Sequence, residues 1–429
     1  MSTAIGNALW SPLAHMPSVL AGGRTIITHG SGTHLTTDDG RELLDATAGL
    51  WHANIGHGRP EIAEAAAAQL QRLETYQSFG SFSNDVALRL ADRLAALSPI
   101  ADPRIILTSG GSDGVEVAAK LARLHWQLEG RHDKVTILSR ADSYHGLHAF
   151  GSSLSGPDIY RDGYGPGTLV PETALFSSTD IDDLERRITE LGADRIAAII
   201  AEPVIGSGGI IAPPPGYFER MQELARAHDI LLIADEVVTG FGRTGRWFAV
   251  ERFGIAPDMI VTAKGITSGY APLGAVFVAP RLWKRFFDGP DAPIYRHGVT
   301  YSGHATACAI ALANLDILER ENLVERAAEL ETVLVRELEV LRDQPGVVEV
   351  RSGAGFLAGV QLEPEIPGDR VAAVALDRGV LLRVIRGNTI QISPPFVVTE
   401  QEIALIVRVL RETIEQFADR ARPEDEEQS

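Results

Sequence analysis

The chain has 429 residues, more than one hydrophobic core usually serves, so two or three structural units are expected. Its apolar fraction of 45% and charged fraction of 22% are those of an ordinary soluble globular protein. The formal net charge of -18 argues against a nucleic-acid partner, because phosphate backbones attract basic surfaces. Part of this charge lies in the acidic segment 423–427, which is typical of a solvated terminus.

The single cysteine, Cys308, excludes an intrachain disulfide and suits a reducing compartment. It lies in an apolar run, so a buried small residue is expected there rather than a nucleophile. The first residues show no basic stretch followed by an apolar core, and no stretch is apolar for long enough to span a membrane. The sequence therefore predicts a cytoplasmic protein without a membrane partner.

Strands and helices alternate along the middle of the chain. Short β-like pieces occupy the first 50 residues, and an alanine-rich helix over 61–73 follows Pro60, which fits a first helical turn. Beyond it, short apolar runs alternate with helical patterns, which predicts an α/β unit with a mainly parallel sheet. The predicted strands cover residues 105–108, 135–139, 196–201, 230–234, 259–262 and 275–279. The predicted helices cover residues 115–128, 181–191 and 217–228.

The last third of the chain predicts a second, smaller α+β unit. One long helix is expected after residue 305, with apolar positions from Ala309 to Leu341, and Pro345 and Gly346 end it. Later elements are strands at 355–362 and 389–392 and a helix over 400–418. The expected organisation is an N-terminal segment 1–55 that belongs to the small domain, a large domain 56–305 and the small α+β domain 306–429.

A small-residue turn, S-G-G-S-D-G (109–114), joins a predicted strand to a predicted helix. A helix that begins at such a turn presents free N–H groups and the positive end of its dipole, which suits a phosphate. Ser109, Gly111 and Gly114 nearly match the G-x-G-x-x-G spacing of dinucleotide-binding turns, although that match is weak by itself. A tight turn without a ligand is the alternative.

Polar residues follow the predicted strands at their carboxyl ends, where open α/β sheets bind ligands. Glu202, Asp235 and Lys264 each follow a different apolar strand, and Tyr144 follows a fourth. Taken singly, Asp235 fits a helix cap and Lys264 fits a solvated loop. Together, carboxylates and a lysine at neighbouring strand ends cost desolvation free energy unless they pair with each other or bind a ligand.

The lysine discriminates between two cofactors. A nicotinamide dinucleotide needs an acidic residue about 20 positions beyond the glycines, and Glu129 or Asp133 could serve, but hydride transfer gives Lys264 no special role. Pyridoxal 5′-phosphate needs a lysine for its aldehyde, a carboxylate for its ring nitrogen and a helix N-terminus for its phosphate. The sequence offers a candidate for each.

The most specific motifs are A-E-P-V (201–204), A-D-E-V-V-T-G-F-G-R-T-G (234–245), A-K-G-I-T-S-G-Y-A-P-L-G-A (263–275), Y-H-G (144–146) and T-Y-S-G-H (300–304). They resemble class III pyridoxal-phosphate aminotransferases. The residues G-L-W-H-A-N-I-G-H-G-R (49–59) resemble the omega-transaminase branch, in which pyruvate is the usual amino acceptor. The resemblance implies fold type I, the aspartate-aminotransferase-like fold, and a homodimer with active sites at the subunit interface.

The resemblance implies a role for each residue around the cofactor. Lys264 would bind the cofactor aldehyde and act as the base, Asp235 would bond the ring nitrogen, and Glu202 would order the site. The expected cofactor-binding residues are Gly111 and Ser112 at the phosphate, Val237 and Tyr144 on the two ring faces, and Thr300 reaching the phosphate from the partner subunit. The turn differs from the usual S-G-S-E-A of relatives, and Gly110 and Gly114 are expected to loosen it.

Substrate-binding residues are implied less uniquely. Trp51 would line the substrate pocket, with Tyr76 and Phe79 as neighbours. An arginine before the segment G-N-T-I-Q-I-S-P-P would bind a substrate carboxylate. Arg383 is preferred to Arg386 because the residues L-L-R (381–383) are typical of the end of a strand.

The implied activity is ping-pong transfer of an amino group from an amine or omega-amino acid to pyruvate or a similar keto acid. A 2,1-aminomutase of the same fold and, more remotely, a nicotinamide-dependent dehydrogenase remain alternatives. No metal site is expected, because the histidines lack acidic or cysteine partners at ligand spacing, and His145 is expected to belong to the turn that positions Tyr144. The sequence does not specify the natural amine donor.

Overall fold

The computed structural model describes residue 6 and residues 8–421, so the predicted acidic tail at 423–427 lies outside the described residues. The strands are β1 (Ile27–Ser31), β2 (His34–Thr37), β3 (Glu42–Asp45), β4 (Arg104–Thr108), β5 (Thr136–Arg140), β6 (Thr173–Phe176), β7 (Ile196–Ala201), β8 (Leu231–Asp235), β9 (Met259–Thr262), β10 (Gly274–Val278), β11 (Val347–Arg351), β12 (Ala358–Leu362), β13 (Val380–Leu381), β14 (Arg383–Ile385) and β15 (Thr389–Ile392).

The helices are α1 (Met16–Gly22), α2 (Ala48–Trp51, a single distorted turn), α3 (Pro60–Arg72), α4 (Asp85–Leu97), α5 (Gly111–Leu128), α6 (Ala149–Leu154), α7 (Ile181–Leu191), α8 (Tyr217–Ala227), α9 (Ala249–Arg252), α10 (Pro280–Phe287), α11 (Ala305–Arg320), α12 (Leu323–Leu338), α13 (Gly368–Asp377) and α14 (Glu400–Ala421). Short 3₁₀ turns lie at Asp158–Tyr160, Ala193–Arg195, Lys264–Ile266 and Glu339–Leu341. No helix among the described residues is long and apolar enough to cross a bilayer.

A seven-stranded sheet lies at the centre of the large unit, in the order β4-β10-β9-β8-β7-β5-β6. Strand β10 runs antiparallel to both of its neighbours, and the remaining pairs are parallel. This confirms the mainly parallel sheet. Because parallel strands end at the same edge, the residues that follow β5, β7, β8 and β9 are brought together.

Both faces of this sheet are buried, which explains why its strands are continuous apolar runs. Successive residues face opposite sides, as the twofold period of a strand requires. Ile233 and Val261 pack in one apolar cluster with α5, whereas Ala234 and Ile260 belong to the larger cluster on the other face.

The strands outside the central sheet form two four-stranded sheets. One has the order β1-β2-β3-β13, so the N-terminal segment shares a sheet with the C-terminal part of the chain through the parallel β3–β13 pair. The other has the order β11-β12-β15-β14. The N-terminal segment thus contacts the small unit, while the domain boundaries stay predictions of the sequence.

The single long helix predicted after residue 305 is wrong. Two helices, α11 and α12, occupy this region, and Asn322 between them has a left-handed φ of 50°. Such a residue ends a helical run, and asparagine tolerates this conformation better than most side chains. The apolar spacing continues on both sides of the break, which is why the pattern suggested one helix.

Candidate active site

The turn between β4 and α5 suits an anion. The buried Asp113 accepts hydrogen bonds from the backbone N–H of Ser109 at 2.8 Å and from its hydroxyl at 3.2 Å, which fixes the turn. Gly111 and Ser112 begin α5, so their N–H groups have no carbonyl partner within the helix. A Cβ on Gly111 would lie 2.9 Å from Cγ2 of Val237, so glycine keeps this space open. Free N–H groups at the positive end of a helix form a phosphate site.

Two buried carboxylates lie at the ends of β7 and β8. Oδ2 of Asp235 is 2.7 Å from Nδ1 of His145. Glu202 accepts a hydrogen bond from the backbone N–H of Tyr144 at 3.0 Å, which ties the segment after β5 to the segment after β7. Burial raises the pKa of the Glu202 carboxyl, and the neighbouring His145 opposes this shift. The site therefore holds two carboxylates in different environments, with the histidine beside Asp235.

His145 contacts Ser155 through its backbone as well as Asp235 through its ring, and the sequence predicted neither contact. Its backbone N–H donates to Oγ of Ser155 at 2.9 Å, which shapes the expected turn beside Tyr144. Its ring is fully buried and pairs with Asp235, while Nε2 has no hydrogen-bond partner in the described part of the chain. The contact between His145 and Asp235 joins residues 90 positions apart, so no local sequence pattern indicates it. Among the described residues, no group of three or more His, Cys, Asp or Glu side chains could hold a metal ion.

Lys264 follows β9 and begins a single 3₁₀ turn with a φ of 46°. This backbone is unfavourable for a residue with a side chain and persists where the surroundings fix it. Burial lowers the pKa of the Lys264 amine to about 8, and the negative charges of Asp235 and Glu202 oppose the shift. At neutral pH, a larger fraction of this amine is therefore uncharged than for a lysine in water.

One cavity of about 160 Å³ brings most of the predicted cofactor residues together. Its lining includes Gly111, Ser112, Tyr144, His145, Glu202, Asp235, Val237 and Lys264. A turn at a helix start, two carboxylates, a lysine and the side chains of Val237 and Tyr144 thus meet in one space. Buried polar groups and a glycine that leaves room beside Val237 fit pyridoxal 5′-phosphate.

The predicted substrate-binding residues, together with the predicted phosphate ligand Thr300, divide into two groups. Trp51 is 3% exposed, and its ring centroid lies 5.7 Å from Nζ of Lys264 and 4.9 Å from Cζ of Arg383. Nη1 of Arg383 is buried without a hydrogen-bond partner among the described residues. Tyr160, which sequence reasoning missed, packs against Tyr144 with ring centroids 5.2 Å apart. It lies in a loop whose placement no sequence pattern indicated.

The second group lies elsewhere on the same chain. Tyr76 and Phe79 are 49% and 51% exposed, and Thr300 is exposed. Oγ of Ser78 donates to the carbonyl of Ser302 at 2.8 Å, so the two loops that carry these residues pack together. They border a separate cavity of about 700 Å³, which Phe79 lines. The structure does not bring these three residues to the Lys264 cavity of their own chain.

Arg386 is occupied by other partners. Its Nη1 lies 2.7 Å from Oδ1 of Asp142 and donates to the carbonyl of Ala141 at 3.3 Å. This guanidinium is partly exposed and already paired, whereas Arg383 faces Trp51 with Nη1 unpartnered in the part of the chain that the structure describes. The geometry therefore favours Arg383 for an incoming carboxylate.

A lysine pocket at the strand ends of a mainly parallel sheet, with a helix N-terminus for a phosphate, defines a pyridoxal-phosphate-dependent enzyme of fold type I. Comparison with known proteins specifies the family. The model of the family described as aminotransferase class-III matches residues 20–414, and the chain belongs to this family. The chain is therefore an aminotransferase. The family, fold type and cofactor predicted from the sequence are thereby confirmed, and family membership argues against the dehydrogenase alternative.

Individual relatives cover nearly the whole chain. An omega-aminotransferase from Caulobacter vibrioides is 38% identical over 414 residues, which cover 91% of this chain and 93% of that protein. An omega-amino acid–pyruvate aminotransferase from Pseudomonas putida is 32% identical over 437 residues, 96% of each chain. The solved structure of an amine transaminase from an uncultivated Pseudomonas species, in its PLP-bound form, is 38% identical with a TM-score of 0.90 and covers 95% of this chain and 98% of that one.

Proposed function

We propose that this aminotransferase moves an amino group from a primary amine or omega-amino acid to pyruvate or a similar keto acid. The observation that carries the proposal is the half-buried guanidinium of Arg383, which lies beside Trp51 close to the lysine pocket and whose buried Nη1 has no hydrogen-bond partner among the described residues. Such a group recognises a carboxylate through charge-assisted hydrogen bonds. The names of the relatives from Caulobacter vibrioides and Pseudomonas putida support the same substrate class.

Bound pyridoxal 5′-phosphate supplies an aldehyde that condenses with amines and a ring that withdraws electrons from the substrate carbon. Gly111 and Ser112 would hold its phosphate, and Val237 and Tyr144 would cover its ring. Asp235, oriented by the contact with His145 at 2.7 Å, would keep a proton on the ring nitrogen.

Lys264 would move the proton of the reaction. Its pKa of about 8 leaves a useful fraction of free amine near neutral pH, which a general base requires. Glu202 would hold the Tyr144 segment in place through the hydrogen bond to its backbone N–H. Arg383 would orient the carboxylate of the keto acid, and Trp51 would form a wall of the substrate pocket.

The proposed active form is a homodimer with shared active sites. Exposed aromatic and aliphatic side chains surround the larger cavity, and covering them would remove apolar surface from water. This arrangement would bring Thr300 of the partner subunit to the phosphate. Tyr76 and Phe79 are exposed on the same surface and would reach a substrate pocket only across the interface.

A cytoplasmic location also stays a proposal. The single cysteine, Cys308, is buried, and burial raises the pKa of its thiol to about 12. A chain with one cysteine forms no intrachain disulfide, which suits a reducing compartment. The net charge of -18 continues to argue against a nucleic-acid partner.

The test is the visible spectrum of the purified holoenzyme while single amines are added without a keto acid. We expect the cofactor band to fade with particular amines and to return when pyruvate is added. A band that no amine changes would contradict the proposed donors and would favour the aminomutase alternative.

Lys264→Ala provides the second arm of this test. The variant should keep the fold and show no turnover, because no other group in the cavity replaces the amine. Near-normal turnover in Lys264→Ala would exclude the role proposed for this residue.

A further inference from the structure

The segment that carries Trp51 has an unusual backbone. Ala48, Gly49 and Trp51 have φ angles of 48°, 62° and 61°, all in the left-handed region, and Leu50 between them has φ −113° and ψ 57°. Left-handed backbone is unfavourable for residues with a Cβ. Such a conformation persists only where surrounding contacts impose it.

Asp45 makes buried contacts with this turn, and the Thr47 hydroxyl adds a contact of 2.9 Å with the carbonyl oxygen of Gly49. Asp45 is fully buried at the end of β3, and its Oδ1 accepts hydrogen bonds from the backbone N–H of Thr47 at 3.0 Å and from its hydroxyl at 2.9 Å. Its Oδ2 accepts from the backbone N–H of Gly49 at 2.8 Å and lies 2.9 Å from Nε2 of His57. One carboxylate therefore holds both the start and the middle of the strained turn.

The Trp51 indole has no comparable anchor of its own. Its Nε1 is buried without a hydrogen-bond partner in the part of the chain that the structure describes. Packing with apolar residues such as Val238 and Ile385 surrounds the ring. Because these contacts are not directional, the backbone at residue 51 decides where the ring lies between Lys264 and Arg383.

We propose that Asp45 is a positioning residue that keeps the Trp51 indole against Lys264 and Arg383 and thereby limits the size of the amine that the pocket accepts. The part that concerns amine size rests on the proposed function. Without the Asp45 carboxylate, the backbone at Trp51 relaxes toward negative φ and the indole moves away from Lys264. The pocket is then open to bulkier amines.

Asp45→Asn is the sharpest test, because the amide keeps the size of the carboxylate. Its oxygen can still accept from Thr47, but its NH₂ group cannot accept from the N–H of Gly49. Asp39→Asn is the matched control, since Asp39 is an exposed carboxylate in the same N-terminal segment and pairs with Arg41. Thr47→Val removes the hydroxyl that lies 2.9 Å from both Oδ1 of Asp45 and the carbonyl oxygen of Gly49, and it replaces Asp45→Asn as the test of the turn if that variant fails to fold.

The position of Trp51 can be read without any reaction. The 429-residue chain has five tryptophans, so 5-fluorotryptophan labelling gives five ¹⁹F resonances, and Trp51→Phe identifies the one from Trp51. We expect this resonance alone to shift or broaden in Asp45→Asn, whereas Asp39→Asn leaves all five unchanged. An unchanged Trp51 resonance in folded Asp45→Asn protein overturns the proposal.

The effect on amine size needs a second measurement. We compare the rates at which 1-phenylethylamine and 2-aminobutane bleach the cofactor band of each holoenzyme. The ratio of the bulky to the small amine should rise at least about tenfold in Asp45→Asn, the scale of steric discrimination in pockets. A shifted resonance with an unchanged ratio overturns the size limit. If neither amine bleaches the wild-type band, the proposed donors are wrong, and the ¹⁹F spectrum still decides the role of Asp45.

Discussion

Lys264 combines partial exposure to the cavity with a strongly lowered pKa, and this sets a testable pH dependence. Its ordinary pKa is 10.5, and burial lowers it to about 8. Only the neutral amine can attack the cofactor aldehyde. We therefore expect the rate at which apoprotein captures pyridoxal 5′-phosphate to be low below pH 8, to rise through about 8 and to level off above it. Stopped-flow absorbance measures this rate.

The same experiment tests the charges around Lys264. Asp235 favours the protonated form of the Lys264 amine, so Asp235→Asn should move the midpoint of the pH–rate profile for cofactor capture to lower pH. Asp229→Asn, at an exposed carboxylate paired with Arg131 and Arg281, should leave it unchanged. A midpoint near the ordinary lysine value would show that burial does not control this amine.

Arg383 and Arg386 differ in what they contact, and this difference predicts different losses. Arg383→Met should lower kcat/KM for substrates with a carboxylate by about 100-fold, because hydrogen bonds to charged groups contribute about 1.5–3 kcal/mol. Neutral amines should lose far less. Arg386→Met should affect both little, since Arg386 is engaged with Asp142 at a partly exposed site. Equal losses for charged and neutral substrates in Arg383→Met would count against the assignment.

The turn between β4 and α5 supplies a prediction at the scale of the element. A Cβ at position 111 would lie 2.9 Å and 3.0 Å from the two methyl carbons of Val237, whereas a Cβ at Gly110 would meet no heavy atom within 4 Å. Gly111→Ala should therefore weaken cofactor binding at least about tenfold, since it displaces Val237, the side chain proposed to cover the ring. Gly110→Ala should change it little, because the φ of 163° is extended backbone.

Titration of the apoprotein with pyridoxal 5′-phosphate measures both variants, and the Tm of each apoprotein separates a local effect from a loss of stability. Equal affinities for Gly111→Ala and the wild-type protein would show that the turn adapts to a side chain there.

The same turn corrects an interpretation of the sequence. Gly114, expected to loosen the turn, packs so closely that a Cβ would lie 2.8 Å from Cγ1 of Val261.

The predicted and observed elements differ where tertiary contacts decide the structure. The six strands predicted for the central sheet lie within one residue of the observed limits, because each is an apolar run bounded, directly or one residue further on, by polar residues, glycine or proline. The residues after them converge, so Lys264, Asp235 and Glu202 could be predicted as one site. The strained turn at Trp51 was not predicted, although its contacts with Asp45 are local, because the sequence does not show that Asp45 is buried with its carboxylate facing these N–H groups. The pairing of His145 with Asp235, in contrast, depends on the packing of distant segments.

At the scale of the whole molecule, the exposed apolar surface around the larger cavity sets an expectation for assembly. Leu88 and Ile294 line that cavity and are 58% and 71% exposed. A glutamate at each position would bury charge in the proposed interface, so Leu88→Glu/Ile294→Glu should be monomeric at concentrations where the wild-type protein is a dimer. Analytical ultracentrifugation measures the mass.

The assembly prediction extends to the cofactor, since the proposed dimer supplies Thr300 of the partner subunit to each phosphate. The monomeric variant should therefore bind pyridoxal 5′-phosphate at least about tenfold more weakly, the scale of a lost hydrogen bond to a charged group. Val340→Glu is the matched control, because Val340 is 53% exposed in the C-terminal unit, away from the larger cavity. It should keep both the dimer and the affinity. A double variant that is monomeric yet binds the cofactor as tightly as the wild-type protein would mean that each subunit completes its own phosphate site.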